Sequence, residues 1–259
     1  MKAYERWVDR AARSVGLQVS RVASSIDRLP QEATASQAQL IRSLRPYTMT
    51  SAERLWTLLE AVRYVTDEGI SGDFVECGVW RGGSIMAMAR QLGELGIADR
   101  RLWLYDTFTG MTQPTREDVE AGTGVTAQEM LESTAVADGN NVWCVAGRLD
   151  VEKNVFSTGY PQEKFIFVEG DVAQTLSESV PESIALLRLD TDWYASTKRS
   201  LEVLYSRLQP GGVCILDDYG HWEGARKAVD EYFANGRKRP FMHPIDYSGR
   251  VFIKRPSSA

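Results

Sequence analysis

Ala185-Leu186-Leu187-Arg188-Leu189-Asp190-Thr191-Asp192 and Val213-Cys214-Ile215-Leu216-Asp217-Asp218 are two short, mostly apolar runs that each end in acids. A strand buried on both faces reads this way. Between them, Tyr194 to Leu208 predicts a helix, and Pro210-Gly211-Gly212 breaks it. Strand, helix and strand make one crossover unit. Its two strands are then parallel, and both acidic ends emerge on the same edge of a sheet. Taken singly, an Asp at a strand end is a helix cap or a turn former. The paired arrangement points further. Close like charges repel unless a cation lies among them or some stay protonated, and hard carboxylate oxygens suit Mg2+ or Ca2+.

Outward from this unit, strands and helices alternate from Gly72 onward. Asp73 to Cys77, Arg101 to Tyr105 and Phe165 to Val168 read as strands; Ser84 to Leu95, Val172 to Ser179 and Ala225 to Phe233 read as helices. Phe241 to Ile245 and Val251 to Lys254 read as a hairpin turning at Ser248-Gly249. The pattern predicts an α/β fold, a mostly parallel sheet with helices on both faces. Residues 109–148 are polar and irregular apart from a helix near Ala127 to Ser133. They are long for a connection, as a lid or substrate loop would be. Thr50-Ser51-Ala52-Glu53 reads as a capping box opening a helix through about Asp67. Pro30 to Ala38 reads as a linker. Residues 1–46 are expected to be an N-terminal helical arm and residues 47–259 the main domain. The arm is basic and amphipathic, but Glu5, Asp9 and Asp27 interrupt its basic face. Packing on its own domain or a second subunit is therefore favoured over a membrane surface.

Composition narrows the function. The formal net charge of −5 does not favour nucleic acid. No run is long enough to span a bilayer and no apolar leader opens the chain, so neither stable membrane insertion nor secretion is expected. Three cysteines, an odd number without CxxC spacing, fit reduced thiols in a cytoplasm. With only two histidines, His221 and His243, His-rich metal sites and most His-based triads are excluded.

The first strand runs into Glu76-Cys77-Gly78-Val79-Trp80-Arg81-Gly82-Gly83-Ser84. These glycines let backbone approach a ligand. The spacing is neither GxGxxG nor a P-loop, so a dinucleotide or nucleoside triphosphate is a weak reading. Asp106 ends the second strand, where an acid can chelate both hydroxyls of a ribose. Asp171 follows the third strand, either capping the next helix or accepting from an adenine amino group. An acid at the first strand end suits a cationic ligand. Ribose, cation and adenine together describe S-adenosylmethionine (SAM).

Glu76 to Gly83, Asp106-Thr107-Phe108-Thr109-Gly110, Leu187 to Asp192 and Asp217-Asp218-Tyr219-Gly220 resemble the macrocin, mycinamicin and novobiocin-type sugar O-methyltransferase family, in order and spacing, from about Thr48 to Phe233. The resemblance implies a Rossmann-like class I SAM-dependent methyltransferase with a seven-stranded, mostly parallel sheet and an antiparallel C-terminal hairpin. It implies SAM and Mg2+ as cofactors, with metal ligands Asp190, Asp217 and Asp218 and general base Asp192. SAM would lie on Glu76, Gly78, Val79, Trp80, Arg81, Gly82, Gly83, Ser84 and Asp106. Cys77 and Thr191 stand where family members commonly have Thr and Gly. The expected acceptor is a small sugar or glycoside, and the expected assembly a homodimer or higher homo-oligomer. Trp193, Tyr194, Tyr219 and Trp222 flank the acids and suit stacking on an acceptor, with packing as the alternative. His221 is the rival base. A catechol or phenol O-methyltransferase and a non-catalytic SAM-binding protein are the rival functions.

Overall fold

The computed structural model describes residues 29–133, 143–234 and 237–256. Residues 1–28 of the expected arm lie outside them. The described chain begins with α1 (Ala35–Leu44) and α2 (Ala52–Asp67), then alternates: β1 (Asp73–Cys77), α3 (Gly83–Glu94), β2 (Leu102–Asp106), α4 (Ala127–Glu132), α5 (Arg148–Phe156), β3 (Phe165–Glu169), the single turn α6 (Val172–Thr175), β4 (Ile184–Leu189), α7 (Tyr194–Leu204), β5 (Leu208–Leu216), α8 (Glu223–Ala234), β6 (His243–Pro244) and β7 (Arg250–Ile253).

These strands form one seven-stranded sheet in the order β3-β2-β1-β4-β5-β7-β6. The first five are mutually parallel; β7 runs antiparallel to β5, and β6 antiparallel to β7. Successive residues of a strand face opposite sides. Phe74, Leu102, Leu186 and Ile215 therefore pack under α1, α2 and α3, while Val75, Tyr105, Leu187 and Cys214 pack under α7 and α8. Both faces are covered, which is why the central strands read as continuous apolar runs. Strand order reverses between β1 and β4. In such sheets ligands bind at the carboxyl ends beside that reversal.

The structure departs from the sequence expectation in several places: the helix expected from Val172 to Ser179 ends at Thr175, and the strand expected from Phe241 to Ile245 is only His243–Pro244. The segment read as a linker opens α1, where Thr34 and Gln37 form a capping box and Ile41 and Leu44 enter the core. The helix starting at Tyr194 ends at Leu204, short of Leu208, and Pro210-Gly211-Gly212 lies within β5. There Ile184 pairs with Leu208 but Leu186 with Val213, so the three residues bulge from the strand. The cap of α2 is Ser51, which accepts from the Arg54 N–H. Position N3 is then Arg54, so no Thr50–Glu53 box forms. Finally, α5 was not anticipated; only Val151, Asn154 and Val155 of it are buried.

Candidate active site

The carboxyl ends of β1, β2, β4 and β5 surround a cavity of about 410 Å3. Its acidic wall is built by strand pairing. The Asp190 N–H donates to Cys77 O at 2.9 Å, and the Asp217 N–H to Leu189 O at 2.9 Å. The ladder therefore delivers both acids side by side just past the strand ends. Asp190, Asp217 and Asp218 each present an oxygen within 4.8 Å of the others. Asp192 sits two residues on, in a left-handed conformation with φ 57° that Asp tolerates better than most residues. Its N–H donates to Asp218 Oδ2 at 3.2 Å, and its Oδ1 accepts the Trp222 indole N–H at 2.9 Å.

Two arginines that the sequence reading passed over enter this wall. Arg188 is the last residue but one of β4 and is buried. Its guanidinium meets Glu76, Asp217 and Asp190, the last at 2.7 Å. It also reaches Thr50 Oγ1 at 3.2 Å. Arg54 of α2 pairs with Asp217 and, at 2.9 Å, with Asp246. A lone Arg inside the apolar run Leu187-Arg188-Leu189 was a readable signal, because a buried guanidinium requires carboxylates.

The charges are unevenly served. Burial raises Asp218 well above the usual carboxylate range, and neighbouring Asp192 and Asp190 raise it further. Burial also lifts Asp190, against the pull of Arg188. Burial would raise Asp217 too, but Arg188 and Arg54 outweigh it and hold that carboxyl low. Asp192 is raised by burial and partly restrained by the Trp222 hydrogen bond. Glu76 is pushed up to about 7 by burial despite its Arg188 partner, and its Oε2 is buried without a hydrogen-bond partner.

The glycine-rich turn divides. Glu76, Gly78, Val79, Trp80 and Ser84 line the cavity, as do Asp106 and Asp171. Arg81, Gly82 and Gly83, expected on the cofactor, do not. Arg81 pairs with Asp150 at 2.8 Å and donates to Pro46 O at 2.9 Å. A Cβ on Gly83 would lie 2.5 Å from Tyr47 O, and one on Gly82 3.0 Å from Val155, so these glycines serve helix packing. A Cβ on Gly78 would lie 1.8 Å from Asp190 O. Glycine there lets the ends of β1 and β4 touch. Asp106 is more occupied than a simple ribose ligand. Oδ2 accepts from the Val79 and Trp80 N–H groups at 2.7 and 3.1 Å, and Oδ1 from the Phe108 N–H at 2.8 Å. Asp171 caps α6, accepting from the Ala173 N–H at 2.8 Å.

Over the acidic wall, the segment following β2 is stitched to the amino ends of α7 and α8. Trp193 Nε1 donates to Thr112 O at 3.0 Å, and Glu120 bridges to Trp222. Trp193 and Trp222 pack edge to face, 4.9 Å apart. His221 lies between Trp222 and Tyr247 and 3.8 Å from Glu120.

The macrocin-O-methyltransferase (TylF) family profile matches residues 15–255. The chain belongs to that family. It is 36% identical over 186 residues to 8-demethyl-8-(2,3-dimethoxy-alpha-L-rhamnosyl)-tetracenomycin-C 4'-O-methyltransferase of Streptomyces olivaceus, a match covering 72% of this chain and 67% of the relative. It is 33% identical over 203 residues to demethyldecarbamoylnovobiocin O-methyltransferase of Streptomyces niveus, covering 78% and 74%. Among solved structures, the O-methyltransferase NovP superposes with a TM-score of 0.69 at 30% identity, covering 81% of this chain and 83% of NovP. This member of the TylF family is a SAM-dependent O-methyltransferase with the class I fold.

Proposed function

We propose that the chain methylates a hydroxyl of a sugar carried by a small-molecule glycoside, with a divalent ion, Mg2+, at Asp190, Asp217 and Asp218 and with Asp192 as the base. The observation that carries this reading is the placement of Asp192 against three convergent carboxylates on one cavity wall. The donor set is hard oxygen, and Asp190 and Asp218 are held high by burial and by neighbouring carboxylates, a condition that a cation relieves. The set therefore fits such an ion. When bound, it would acidify a sugar hydroxyl and orient two vicinal oxygens.

The chain's own residues supply the rest. The β1–α3 turn and Asp106 shape the cofactor side, and the unpartnered Glu76 Oε2 offers an acceptor to the cationic methionine end. The acceptor oxygen forms a bond to the SAM methyl carbon as the carbon–sulfur bond breaks, and its proton passes to Asp192. Burial raises the basicity of Asp192, which favours that transfer. The relative from Streptomyces olivaceus is named for methylating a dimethoxyrhamnosyl group, which supports a sugar acceptor here. Trp193 and Trp222 pack on one another and do not make a parallel-sided slot for a planar catechol.

The test is a panel of glycosides, sugar nucleotides and catechols incubated with SAM, with EDTA or Mg2+, and read by mass spectrometry. Mg2+-dependent gain of one methyl on a sugar ring is expected. Methylation of catechols alone, or full turnover in EDTA, overturns the reading. A homo-oligomer and a cytoplasmic location belong to the same proposal, and sedimentation and fractionation address them. Among the described residues no helix is long and apolar enough to cross a membrane.

A further inference from the structure

Asp118 has no exposed surface, the deepest burial of any carboxylate among the described residues. It does not line the cavity. Its Oδ2 accepts from the Thr115 N–H and hydroxyl at 2.6 and 2.8 Å, and its Oδ1 from the Tyr194 N–H at 2.6 Å. Tyr194 opens α7, whose N-cap Trp193 provides no capping side chain. A helix start leaves N–H groups without partners and carries partial positive charge. Ser or Thr at position 193 would satisfy it locally. Here the cap comes from 76 residues away, and burying a carboxylate for that purpose is costly unless it is fully bonded.

The long reach joins the segment after β2 to the turn that carries the acids. The Asp118 carbonyl accepts from the Ala127 N–H at 2.8 Å, and neighbouring Val119 O accepts from the Glu223 N–H at 2.9 Å. A Cβ on Gly224 would lie 2.0 Å from Asp118 Oδ1, so α8 closes on the same carboxylate. Trp222, two residues before Gly224, donates to Asp192. The segment thus grips Asp192 from both sides, through Tyr194 behind it and Trp222 in front.

We infer that Asp118 is a positioning residue for methyl transfer: it pins the amino end of α7 to the 112–127 segment and thereby sets the left-handed turn of Asp192. This rests on Asp192 being the base. In the S-adenosylhomocysteine-bound protein, Asp118→Ala should speed hydrogen exchange across residues 191–197 by about tenfold. Exchange in β1 and α3, and affinity for S-adenosylhomocysteine, should stay as in the parent. Asp118→Asn keeps a carbonyl acceptor for the Tyr194 N–H and should restore protection. On a glycoside accepted in the panel above, kcat of Asp118→Ala should fall roughly 10- to 100-fold at unchanged KM for SAM. In the Asp192→Asn background, Asp118→Ala should cost no further kcat. Gly224→Ala, which crowds Oδ1 without removing it, should loosen the same peptide and covers the case of an Asp118→Ala that does not fold. Unchanged exchange at 191–197 in both variants overturns the proposal. So does an equal additional loss of kcat in the Asp192→Asn background. A fast Asp192→Asn variant on its own would instead sink the base assignment, and the exchange result would still report on the pin.

Discussion

The indole N–H of Trp222 donates to Asp192 Oδ1 at 2.9 Å, so the residue proposed as base is aimed by a neighbour on α8's approach. A hydrogen bond to the charged form lowers a carboxyl pKa, and that bond partly offsets the rise that burial imposes on Asp192. Trp222→Phe should therefore raise the Asp192 pKa and move the acid limb of the kcat–pH profile to higher pH. Asp192→Asn removes the proton acceptor, and kcat should fall roughly 10²- to 10⁴-fold at unchanged SAM affinity. An acid limb that stays in place in Trp222→Phe would argue against Asp192 as the base.

Glu76 supplies a pH prediction with a definite sign. Its folded pKa is raised to about 7 by burial, above the ordinary value near 4.3. The folded state then holds the proton more tightly than the unfolded chain. Its contribution to stability is complete below the unfolded value and is lost as pH rises through about 7. Glu76→Gln should flatten that decline in SAM-free melting curves. It should also weaken SAM binding at pH 8, since it removes the charge facing the cofactor's cationic end. Calorimetry showing unweakened SAM binding would take Glu76 off the cofactor.

Asp106 accepts three backbone N–H groups from the turns after β1 and β2, so its loss should do more than remove a ribose contact. Asp106→Ala is expected to weaken SAM binding by roughly 1.5–3 kcal/mol and to lower the melting temperature as well. Asp106→Asn keeps one carbonyl acceptor but turns an amide N–H2 toward at least one of these N–H groups, and should fall between the parent and Ala. A variant with normal melting and weak binding would mean that the turns hold without it.

The parallel strands were legible because strands covered on both faces are plain apolar runs, and their terminal acids stand out against them. Asp190, Asp217 and Asp218 were brought together as expected from the crossover alone. What stayed hidden depends on distant partners. Asp118 looks like any loop acid until Tyr194 is placed against it. The first turn of α1 reads as part of a polar linker because only Gln37, Ile41 and Leu44 of the helix are buried. Thr50 and Arg54 read as parts of a helix start, and only the fold turns them toward Asp217.

The two adjacent acids Asp217 and Asp218 should respond oppositely to substitution. Asp217 faces two guanidiniums and is held low; Asp218 faces mainly other carboxylates and is held high. In metal-free protein, Asp218→Asn should raise the melting temperature by relieving repulsion, whereas Asp217→Asn should lower it by leaving Arg188 and Arg54 short of a partner. Both should lose the stabilisation that added Mg2+ gives the parent. Identical Mg2+-induced shifts in parent and variants would place the ion elsewhere.

Arg188 is the cation at the centre of the acidic wall, since among the described residues it is the one that contacts all three of Glu76, Asp190 and Asp217. Its planar fork suits several carboxylates at once, which a lysine ammonium does not. Arg188→Met keeps an apolar stem in β4 but strands the buried Glu76, unpairs the half-buried Asp190 and leaves Asp217 to Arg54 alone, and removing one partner of such a set costs on the order of 3–5 kcal/mol. The metal-free variant should melt well below the parent. Mg2+ should then stabilise it more than it stabilises the parent, because the ion meets carboxylates no longer shared with a guanidinium. Thermal melts of both proteins across a Mg2+ titration check this. A larger Mg2+ shift in the variant supports an arginine that holds the ligands in the ion's absence. A smaller shift would mean that Arg188 orients the ligands, and that its positive charge is not a competitor for them.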